Sequence, residues 1–505
     1  MEPIVEVSGG KIQGRTTTGV SAFLGVPYAA APIGLTRFLA PQPVVPWDGI
    51  RAANALGPTC IQPSYPPGIE EILGTYTVPG AEYLNVNVWT PDPGGSGLPV
   101  MVWIHGGAFE HGSNAVPAYD GAAFARDGVV LVSVNYRLGI SGFAVLGGGP
   151  ANRGLLDQLY ALAWVQDNIA AFGGDPANVT VFGESAGAMS VAALLSAPAS
   201  RGLFGRAIMQ SGNGSVAVTA DDARLMSAKL AEKLEIAPTA AEFAHVTPAD
   251  LLAAQQSVHA EYSLNPDPAR WGASVVAAGG GVMNLMPTLD GELLSALPID
   301  AIAAGSARGI PLIIGVTAEE FRLFTVPTGL ADAATTDMLP FLLARFGIAA
   351  SIAEEFAAAR PDDTPGDILA AVITDGMFRR PTAELASAQA ATGTPAYVYE
   401  FGWQRTDGHL GACHGLEVPF VFDTLANAVP LAGPHAPQRL ADEIHSAWVA
   451  FATTGEPGWE QYSADHRALM RFGDPRSQLV TGPAGGAWST EPFAAADTAV
   501  PGAER

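Results

Sequence analysis

One serine lies between two glycines at the point where a strand pattern changes into a helix pattern. Residues 179–182 favour a short buried strand, and the alanine-rich run that begins at Ala186 favours a helix. Between them is Gly-Glu-Ser-Ala-Gly, with the serine at position 185. The glycines allow a sharp turn that holds the hydroxyl above the sheet, beside the free amides of the helix. We therefore predict that Ser185 is a nucleophile; the alternative is a turn in which it only caps the helix.

A serine hydroxyl needs a base within hydrogen-bond distance, and histidine is the usual base because it titrates close to neutral pH. His414 lies in a glycine-flanked loop after the last predicted strand, which fits the chain order serine, acid, histidine. We predict that His414 is the base, against the alternative of an ordinary loop histidine. The adjacent Cys413 is interpreted as a buried thiol. Solvated or packing roles are predicted for His245 and His259 on surface helices, His435 and His466 in polar loops, and His445 on the last helix.

An acid that orients the base should lie between the serine and the histidine, in a loop after a buried strand. The apolar run 310–316 is followed by Thr-Ala-Glu-Glu-Phe, which provides two adjacent carboxylates, Glu319 and Glu320. Adjacent side chains usually point in different directions, so only one of the two can face the histidine. Asp290, in Pro-Thr-Leu-Asp-Gly, is predicted to form a turn instead.

Acyl transfer also needs hydrogen-bond donors aimed at the oxygen that becomes negative. The apolar run 99–104 ends in His-Gly-Gly-Ala-Phe, where glycines leave amides uncovered, so Gly106 and Gly107 are predicted to donate. The amide of Ala186, after the serine, is predicted to be the third donor, and His105 is predicted to hold the loop. Aromatic residues that either line the pocket or belong to the core are Trp103, Phe109, Phe324, Phe378 and Phe420.

Strand and helix patterns alternate along the chain, which indicates the α/β class with a large, mostly parallel sheet. Strands are predicted in an edge hairpin within 4–28 and at 83–90, 99–104, 129–135, 179–182, 310–316 and 396–401, the last strong one. Helices are predicted at 154–172 and 440–453. We predict one domain over residues 1–505, with helical insertions around 220–260 and 330–390.

Composition narrows the possible partners. The 505 residues are 48% hydrophobic and 15% charged, which favours a large core, and the formal net charge of −24 disfavours nucleic acid and anionic membranes. Cys60 and Cys413 are too few for a disulfide framework or a metal site, and no cofactor or metal is predicted. We see neither a signal-peptide pattern nor about 18 unbroken apolar residues, so a cytoplasmic protein without a membrane partner is predicted.

Several motifs follow one another in a specific order along nearly the whole chain. They are Phe-Leu-Gly-Val-Pro-Tyr at 23–28, residues 84–89, His-Gly-Gly-Ala-Phe at 105–109, Val-Asn-Tyr-Arg at 134–137, residues 152–158 with Trp164, Phe-Gly-Gly-Asp-Pro at 172–176, the serine turn at 183–187, Gln-Ser-Gly at 210–212, and His-Gly-Leu-Glu-Val-Pro-Phe at 414–420. In this order they resemble the type-B carboxylesterase family, which includes bacterial para-nitrobenzyl esterase-like enzymes, liver carboxylesterases and cholinesterases.

The resemblance implies an α/β-hydrolase fold and ester hydrolysis by a Ser-His-Glu triad. Matching Gly315 and Phe324 to the family pattern selects Glu320 as the acid. The chain departs from the pattern at this point, because it has Glu319 where the family has an aspartate and Phe321 where the family has a glycine. Glu319 therefore remains the alternative acid.

The resemblance also assigns supporting, non-reacting roles to Glu184 and Ser211. Animal relatives bridge a cysteine near position 60 to a position aligned with Tyr83. Cys60 has no such partner here, which fits a reducing cytoplasm.

We predict a bacterial serine carboxylesterase that forms an acyl-enzyme from a small-molecule ester and is a monomer or a small homo-oligomer. Short or medium neutral acyl groups are favoured, since an acidic surface disfavours anions. A carbamate or amide hydrolase with the same triad is an alternative. An inactive binding protein of the same fold is disfavoured, because Ser185, His414 and a glutamate are all present.

Overall fold

A mostly parallel sheet is the frame of the computed structural model, which describes residues 2–405, 408–473 and 475–481. In chain order the strands are β1 (Ile4–Val7), β2 (Gly10–Gln13), β3 (Arg15–Thr17), β4 (Val20–Pro27), β5 (Ile50–Ala52), β6 (Asn85–Thr90), β7 (Leu98–Ile104), β8 (Val130–Val134), β9 (Gly174–Glu184), β10 (Arg206–Gln210), β11 (Val218–Thr219), β12 (Thr288–Leu289), β13 (Leu312–Thr317), β14 (Ala396–Phe401), β15 (Leu469–Phe472) and β16 (Gln478–Val480).

Within the described ranges, the main sheet has eleven strands in the order β16-β15-β14-β13-β10-β9-β7-β8-β6-β4-β3. The pairings from β8 through β7, β9, β10, β13 and β14 to β15 are parallel, and those at both ends are antiparallel. The predicted α/β class with a large, mostly parallel sheet is therefore confirmed.

Helices connect and cover these strands. They are α1 (Ile69–Leu73), α2 (Ala122–Arg126), α3 (Gly139–Phe143), α4 (Arg153–Asn168), α5 (Ala186–Ser196), α6 (Ala220–Leu234), α7 (Ala240–His245), α8 (Pro248–Leu264), α9 (Pro268–Trp271), α10 (Ala273–Gly279), α11 (Pro298–Ala303), α12 (Arg322–Thr325), α13 (Leu330–Ala333), α14 (Leu339–Ala344), α15 (Ala350–Ala359), α16 (Pro365–Thr374), α17 (Arg380–Ala391), α18 (Val418–Val421), α19 (Val429–Ala432) and α20 (Gln438–Thr454). In the described part of the chain, no helix is both long and apolar enough to cross a membrane.

The two faces of the sheet bury separate cores, and strand β7 shows why its sequence is apolar throughout. Side chains alternate between the faces of a strand. Val100, Val102 and Ile104 pack on the face covered by α4 and α5. Met101 and Trp103 pack on the opposite face, with α2 and α20. Because both faces are covered, a continuous apolar run is the correct pattern for this strand.

Sequence patterns predicted the strands β6, β7, β8, β9, β13 and β14 and the helices α4 and α20, with differences elsewhere. The N-terminal hairpin of β1 and β2 forms a separate small sheet with β5, whereas β4 joins the main sheet. The main sheet continues past β14 through β15 and β16, which are short and interrupted by polar residues, so 396–401 is not its last strand. The α4 helix ends at Asn168, and a 3₁₀ turn completes the predicted helical range. The ranges 220–260 and 330–390 are largely helical.

Parallel pairing brings the important loops to one edge of the sheet. Strands β7, β9, β10, β13 and β14 are consecutive parallel strands of the sheet, so their carboxyl ends lie along the same edge. The glycine loop follows β7, Ser185 follows β9, the two adjacent glutamates follow β13, and the loop with His414 follows β14. Residues that are more than 200 positions apart in the sequence are brought together in this way.

Candidate active site

Ser185 occupies a strained turn between β9 and α5. Its φ of 54° and ψ of −123° lie in a region that non-glycine residues rarely adopt. The Ser185 amide donates to the carbonyl of Gln210 at 2.8 Å, which fixes the turn against the next strand. A Cβ atom at Gly187 would lie 2.0 Å from the carbonyl oxygen of Ile104, and one at Gly183 would lie 2.6 Å from the backbone of Gly187. The helix therefore approaches the sheet at a distance that only glycine permits.

A Gly187→Ala substitution should destabilise the protein by about 1–3 kcal/mol, as other overpacking substitutions do. The reason is that the added methyl group meets rigid backbone rather than a movable side chain. Thermal unfolding measures the effect, and Gly205→Ala is the matched control, because nothing lies within 4 Å of its added Cβ. Equal melting temperatures for the two variants would contradict this description of the turn.

His414 is hydrogen-bonded to one of the two adjacent glutamates. Its Nδ1 lies 2.6 Å from Oε2 of Glu320, whose side chain is fully buried. The other carboxylate oxygen of Glu320 accepts a hydrogen bond from the amide of Thr317 at 2.8 Å. The amide of His414 also donates to the carbonyl of Glu320 at 3.2 Å. Main chain and side chain together fix the imidazole relative to this carboxylate.

Glu319 points away from the imidazole and holds the loop that leads to it. Its Oε2 accepts hydrogen bonds from the amide of Ala412 and from Nε2 of Gln404, both at 2.8 Å. The amide of Glu319 donates to the carbonyl of Ala412 at 2.9 Å. The two adjacent carboxylates therefore have different partners, with Glu320 against His414 and Glu319 against the backbone two residues before it.

A third carboxylate, from Glu184, lies on the other side of the imidazole. Its Oε1 is 3.0 Å from Nε2 of His414. Burial raises the pKa of Glu184, Glu320 raises it further, and His414 opposes the rise. Burial by itself would lower the pKa of His414, but the negative charges of Glu184 and Glu320 outweigh it and raise the pKa overall. Both neighbours thus favour the protonated form of the histidine.

Three backbone amides near Ser185 are free to donate. Among the residues that the structure describes, no acceptor pairs with the amides of Gly106, Gly107 or Ala186. Ala186 opens α5, where the first amides have no partner within the helix. A Cβ at Gly106 would lie 3.1 Å from Cβ of Ser185 and 2.5 Å from Oε2 of Glu184, so the glycine loop passes directly beside the serine. Free donors at this place can stabilise negative charge on an oxygen.

The serine, the histidine and the glycine loop open into one pocket of about 250 Å³. The rings of Phe324 and Phe378 lie 5.4 Å and 5.1 Å from the His414 ring. Phe378 belongs to a π-helical turn between α16 and α17, at residues Asp375–Arg379. Most of the lining is apolar, and it includes Ile69, Leu73, Met189, Val282, Met283 and Leu431.

Of the five aromatic residues considered from the sequence, two line the pocket and three belong to the core. Trp103 packs against Phe182 and Phe422, on the face of the sheet opposite α5. Phe109 and Phe420 are fully buried among other rings. Residues next to Phe109 and Phe420 in the sequence line the pocket, but the side chains of Phe109 and Phe420 themselves are buried in the core.

A solvated or packing role on a surface helix was predicted for His259, and the structure places this half-buried side chain in the pocket lining. It lies on α8 and lines the pocket, where its Nδ1 is 3.3 Å from Oε2 of Glu110. The buried stripe of α8 runs through Gln255, Val258 and Tyr262. His259 is the residue four positions after Gln255 and lies at the border of this stripe, so helical spacing could have placed it there. Its polarity favoured the surface assignment instead.

The remaining candidates have structural surroundings. His105 stacks on Tyr136, and burial lowers its pKa to about 4, so it stays neutral while its Nδ1 bonds the carbonyl of Gly106. Asp290 accepts three backbone amides in a turn, as predicted. Cys60 and Cys413 are free and buried. His245, His435 and His466 are exposed, and His445 is buried with Nδ1 2.7 Å from the carbonyl of Val421.

Two further acids near the pocket were not singled out from the sequence. Glu417 is fully buried behind His414, where it accepts from Gln210, and burial together with nearby carboxylates raises its pKa to about 8. Glu110 is also buried and faces the pocket. No group of three or more potential ligands arranged for a metal ion occurs among the described residues.

Comparisons with known proteins agree on one group of enzymes. The carboxylesterase family model matches residues 1–484. Para-nitrobenzyl esterase of Bacillus subtilis (strain 168) is 40% identical over 488 residues, covering 92% of this chain and 94% of that protein. Phenmedipham hydrolase of Pseudarthrobacter oxydans is 35% identical over 496 residues, covering 95% and 96%. A carboxylesterase structure from Geobacillus stearothermophilus superposes with a TM-score of 0.81 at 36% identity, covering 95% of this chain and 98% of that one.

Proposed function

The chain belongs to the carboxylesterase family and hydrolyses carboxylic esters, and on that premise we propose that Ser185, His414 and Glu320 are its catalytic triad. The observation that carries this proposal is the 2.6 Å contact between His414 and the buried Glu320, in the pocket that Ser185 also lines. The resemblance inferred from the motifs is confirmed by the family match.

In the proposed mechanism, Ser185 Oγ attacks the ester carbonyl carbon while Nε2 of His414 accepts the hydroxyl proton. The carbonyl oxygen becomes negative and is stabilised by the amides of Gly106, Gly107 and Ala186. His414 then passes its proton to the leaving alkoxide, which departs as the alcohol and leaves an acyl-serine. Water repeats the sequence, with His414 again as the base, and releases the carboxylic acid.

Glu320 has a separate task in this mechanism. Its carboxylate accepts the Nδ1 hydrogen of His414, so Nε2 is left as the nitrogen that can take a proton. It also stabilises the imidazolium that forms during the reaction without accepting the proton itself.

Rapid mixing with a short-chain para-nitrophenyl ester tests the acyl-enzyme. We expect a burst of para-nitrophenol with an amplitude close to the enzyme concentration, followed by slower turnover as the acyl-serine is hydrolysed. A burst that is absent at every pH while steady turnover continues would argue against accumulation of this intermediate. An absence of turnover on any ester would favour the inactive binding protein.

We propose short or medium neutral acyl groups as the preferred substrates. The pocket of about 250 Å³ has room for a small ester, and its lining is largely apolar. A carbamate hydrolase is the second candidate, because the same attack can be made on a carbamate carbonyl and one relative is a phenmedipham hydrolase. A panel of nitrophenyl acetate, butyrate, octanoate and carbamate distinguishes them; faster hydrolysis of emulsified long-chain triglyceride than of soluble butyrate would contradict the proposed preference.

The pH dependence follows from the charges around His414. Only neutral His414 can accept the serine proton, so kcat/KM falls as the pH drops below the pKa of this histidine. Glu184 and Glu320 raise that pKa, which places the fall above the usual histidine value of about 6.5. A Glu184→Gln substitution removes one of these charges and should move the midpoint to lower pH by about 1 unit or more. Glu71→Gln, at an exposed position, is the control, and an unmoved midpoint in Glu184→Gln would refute the coupling.

We further propose one domain over residues 1–505, of which residues 482–505 lie outside the described part of the chain, together with a bacterial cytoplasmic location and a monomer or small homo-oligomer. The bacterial relatives and the two unbridged cysteines support the location. Light scattering of the purified protein and subcellular fractionation test these proposals.

A further inference from the structure

Glu110 is a buried carboxylate in the pocket that the proposed mechanism does not use. It is only 4% exposed and lines the same cavity as Ser185. Its Oε2 lies 3.3 Å from Nδ1 of His259. Within the described residues, its Oε1 has no hydrogen-bond partner. A buried carboxylate oxygen without a donor is costly, so this atom requires either a ligand or another source of a hydrogen bond.

His259 makes the carboxylate suitable for a neutral donor. Burial lowers the pKa of His259, but the adjacent carboxylate of Glu110, 3.3 Å from Nδ1, outweighs this and raises the pKa, with a contribution from Asn284. In its protonated form, His259 is therefore the positively charged neighbour of this carboxylate. A ligand therefore does not need to bring a positive charge to Glu110. The free lone pair of Oε1 still lacks an N–H or O–H donor.

Glu110 belongs to the same tight turn as one of the proposed oxyanion donors. The amides of Glu110 and His111 donate to the carbonyl of Gly107 at 3.0 Å and 2.8 Å, which closes a tight turn. The Cα atoms at the two ends of such a turn are less than about 7 Å apart. Gly107 is one of the proposed oxyanion donors, so a group a few bonds from the ester carbonyl can reach Glu110.

We propose that Glu110, positioned by His259, is a specificity subsite for a neutral hydroxyl or N–H group on the ester substrate. The inference rests on the proposed function, since it concerns a part of the substrate attacked by Ser185. The surrounding lining is apolar, with Met189, Val282 and Met283 nearby in the same pocket. An apolar substrate group placed there leaves Oε1 unpaired, and a site built to bond a hydroxyl discriminates strongly against an analogue that lacks one.

The test compares matched esters that differ only by a terminal hydroxyl. One series carries it on the acyl chain, as para-nitrophenyl ω-hydroxyalkanoates against alkanoates of the same length, over several chain lengths. The other carries it on the alcohol, as diol monobutyrates against n-alkyl butyrates, followed by pH-stat titration. In at least one series, we expect the hydroxyl ester to have a kcat/KM about tenfold or more higher than its methyl-terminated partner.

Variants then assign the preference to this carboxylate. Glu110→Leu should bring the hydroxyl-to-methyl ratio of kcat/KM close to one. Glu110→Gln keeps the shape of the side chain but loses the charge, so the hydroxyl-to-methyl ratio of kcat/KM should fall several-fold. This second variant tests the proposal even if the leucine variant does not fold. Glu71→Gln, which changes an exposed carboxylate on α1 that does not line the pocket, should keep the wild-type ratio.

A ratio near one in both series of the wild type, or a ratio that is unchanged in Glu110→Gln, would overturn the subsite. A trimethylammonium-terminated ester preferred over the hydroxyl ester would also overturn it, because that group has no hydrogen to donate. Failure of the proposed function looks different, since then neither member of any ester pair would be hydrolysed.

Discussion

A Ser185→Ala variant should fold normally and lose about 10⁶-fold in kcat on a para-nitrophenyl ester, the size of loss that removal of a nucleophilic serine causes in other hydrolases. The loss is large because a water molecule that attacks in place of the serine forms no acyl-enzyme. Such a water is also not held in position as the Ser185 hydroxyl is by the turn between β9 and α5. Folding should be preserved, since alanine keeps the backbone hydrogen bond from residue 185 to Gln210.

Steady-state hydrolysis, corrected for the rate without enzyme, gives the kcat of the variant. A thermal melt verifies that the variant folds. Ser196→Ala is the matched control, because this serine ends α5 and its hydroxyl donates to the carbonyl of Ala193 in the same helix. Ser196→Ala should retain nearly full activity. Turnover in Ser185→Ala within about tenfold of the wild type would mean that another group attacks the ester.

Glu320→Gln should reduce kcat by about 10⁴-fold with the protein still folded, as loss of the acid does in other triads. A neutral amide can rotate to present its oxygen or its NH₂ group to Nδ1 of His414, and neither state stabilises the imidazolium as the carboxylate does. Glu319→Gln should retain most of the activity, because its amide oxygen can still accept from the amide of Ala412. Its cost should be about 1 kcal/mol of unfolding free energy.

The pair of variants is a sharp test because the two residues are adjacent, chemically identical and changed in the same way. The kcat values of both are measured on one substrate, and urea unfolding gives the stabilities. A large activity loss in Glu319→Gln with a small loss in Glu320→Gln would reverse the assignment and make Glu319 the acid.

The sequence was most informative where function needs local geometry. The serine turn requires glycines on both sides, because Gly183 and Gly187 lie against backbone, and this need is visible in the motif itself. The buried strands were visible for a related reason: a parallel strand covered on both faces has to be apolar at every position, as β7 is. Strands β15 and β16, short and at the sheet edge, carry no such pattern.

Sequence reasoning was weaker where tertiary contacts select between similar side chains. Residue type does not distinguish Glu319 from Glu320, and only the register of the family pattern selected Glu320. In the structure, the loop after β14 brings the imidazole to Glu320 and the amide of Ala412 to Glu319. The contact between Glu110 and His259 joins the glycine loop to a distant helix, and two polar side chains far apart in the chain give no sign of it. Insertions such as α8 shape the pocket, so specificity is the property least readable from the motifs.

The most direct test of the account is to identify the residue that becomes covalently modified. The native protein is incubated with diethyl para-nitrophenyl phosphate, which phosphorylates activated serines, and intact mass and peptide mapping locate the adduct. We expect one diethylphosphoryl group per chain, on the peptide that contains Ser185, formed with stoichiometric loss of esterase activity. Labelling at a different residue with the same loss of activity, or full inactivation with Ser185 unmodified, would contradict the assignment of Ser185 as the nucleophile.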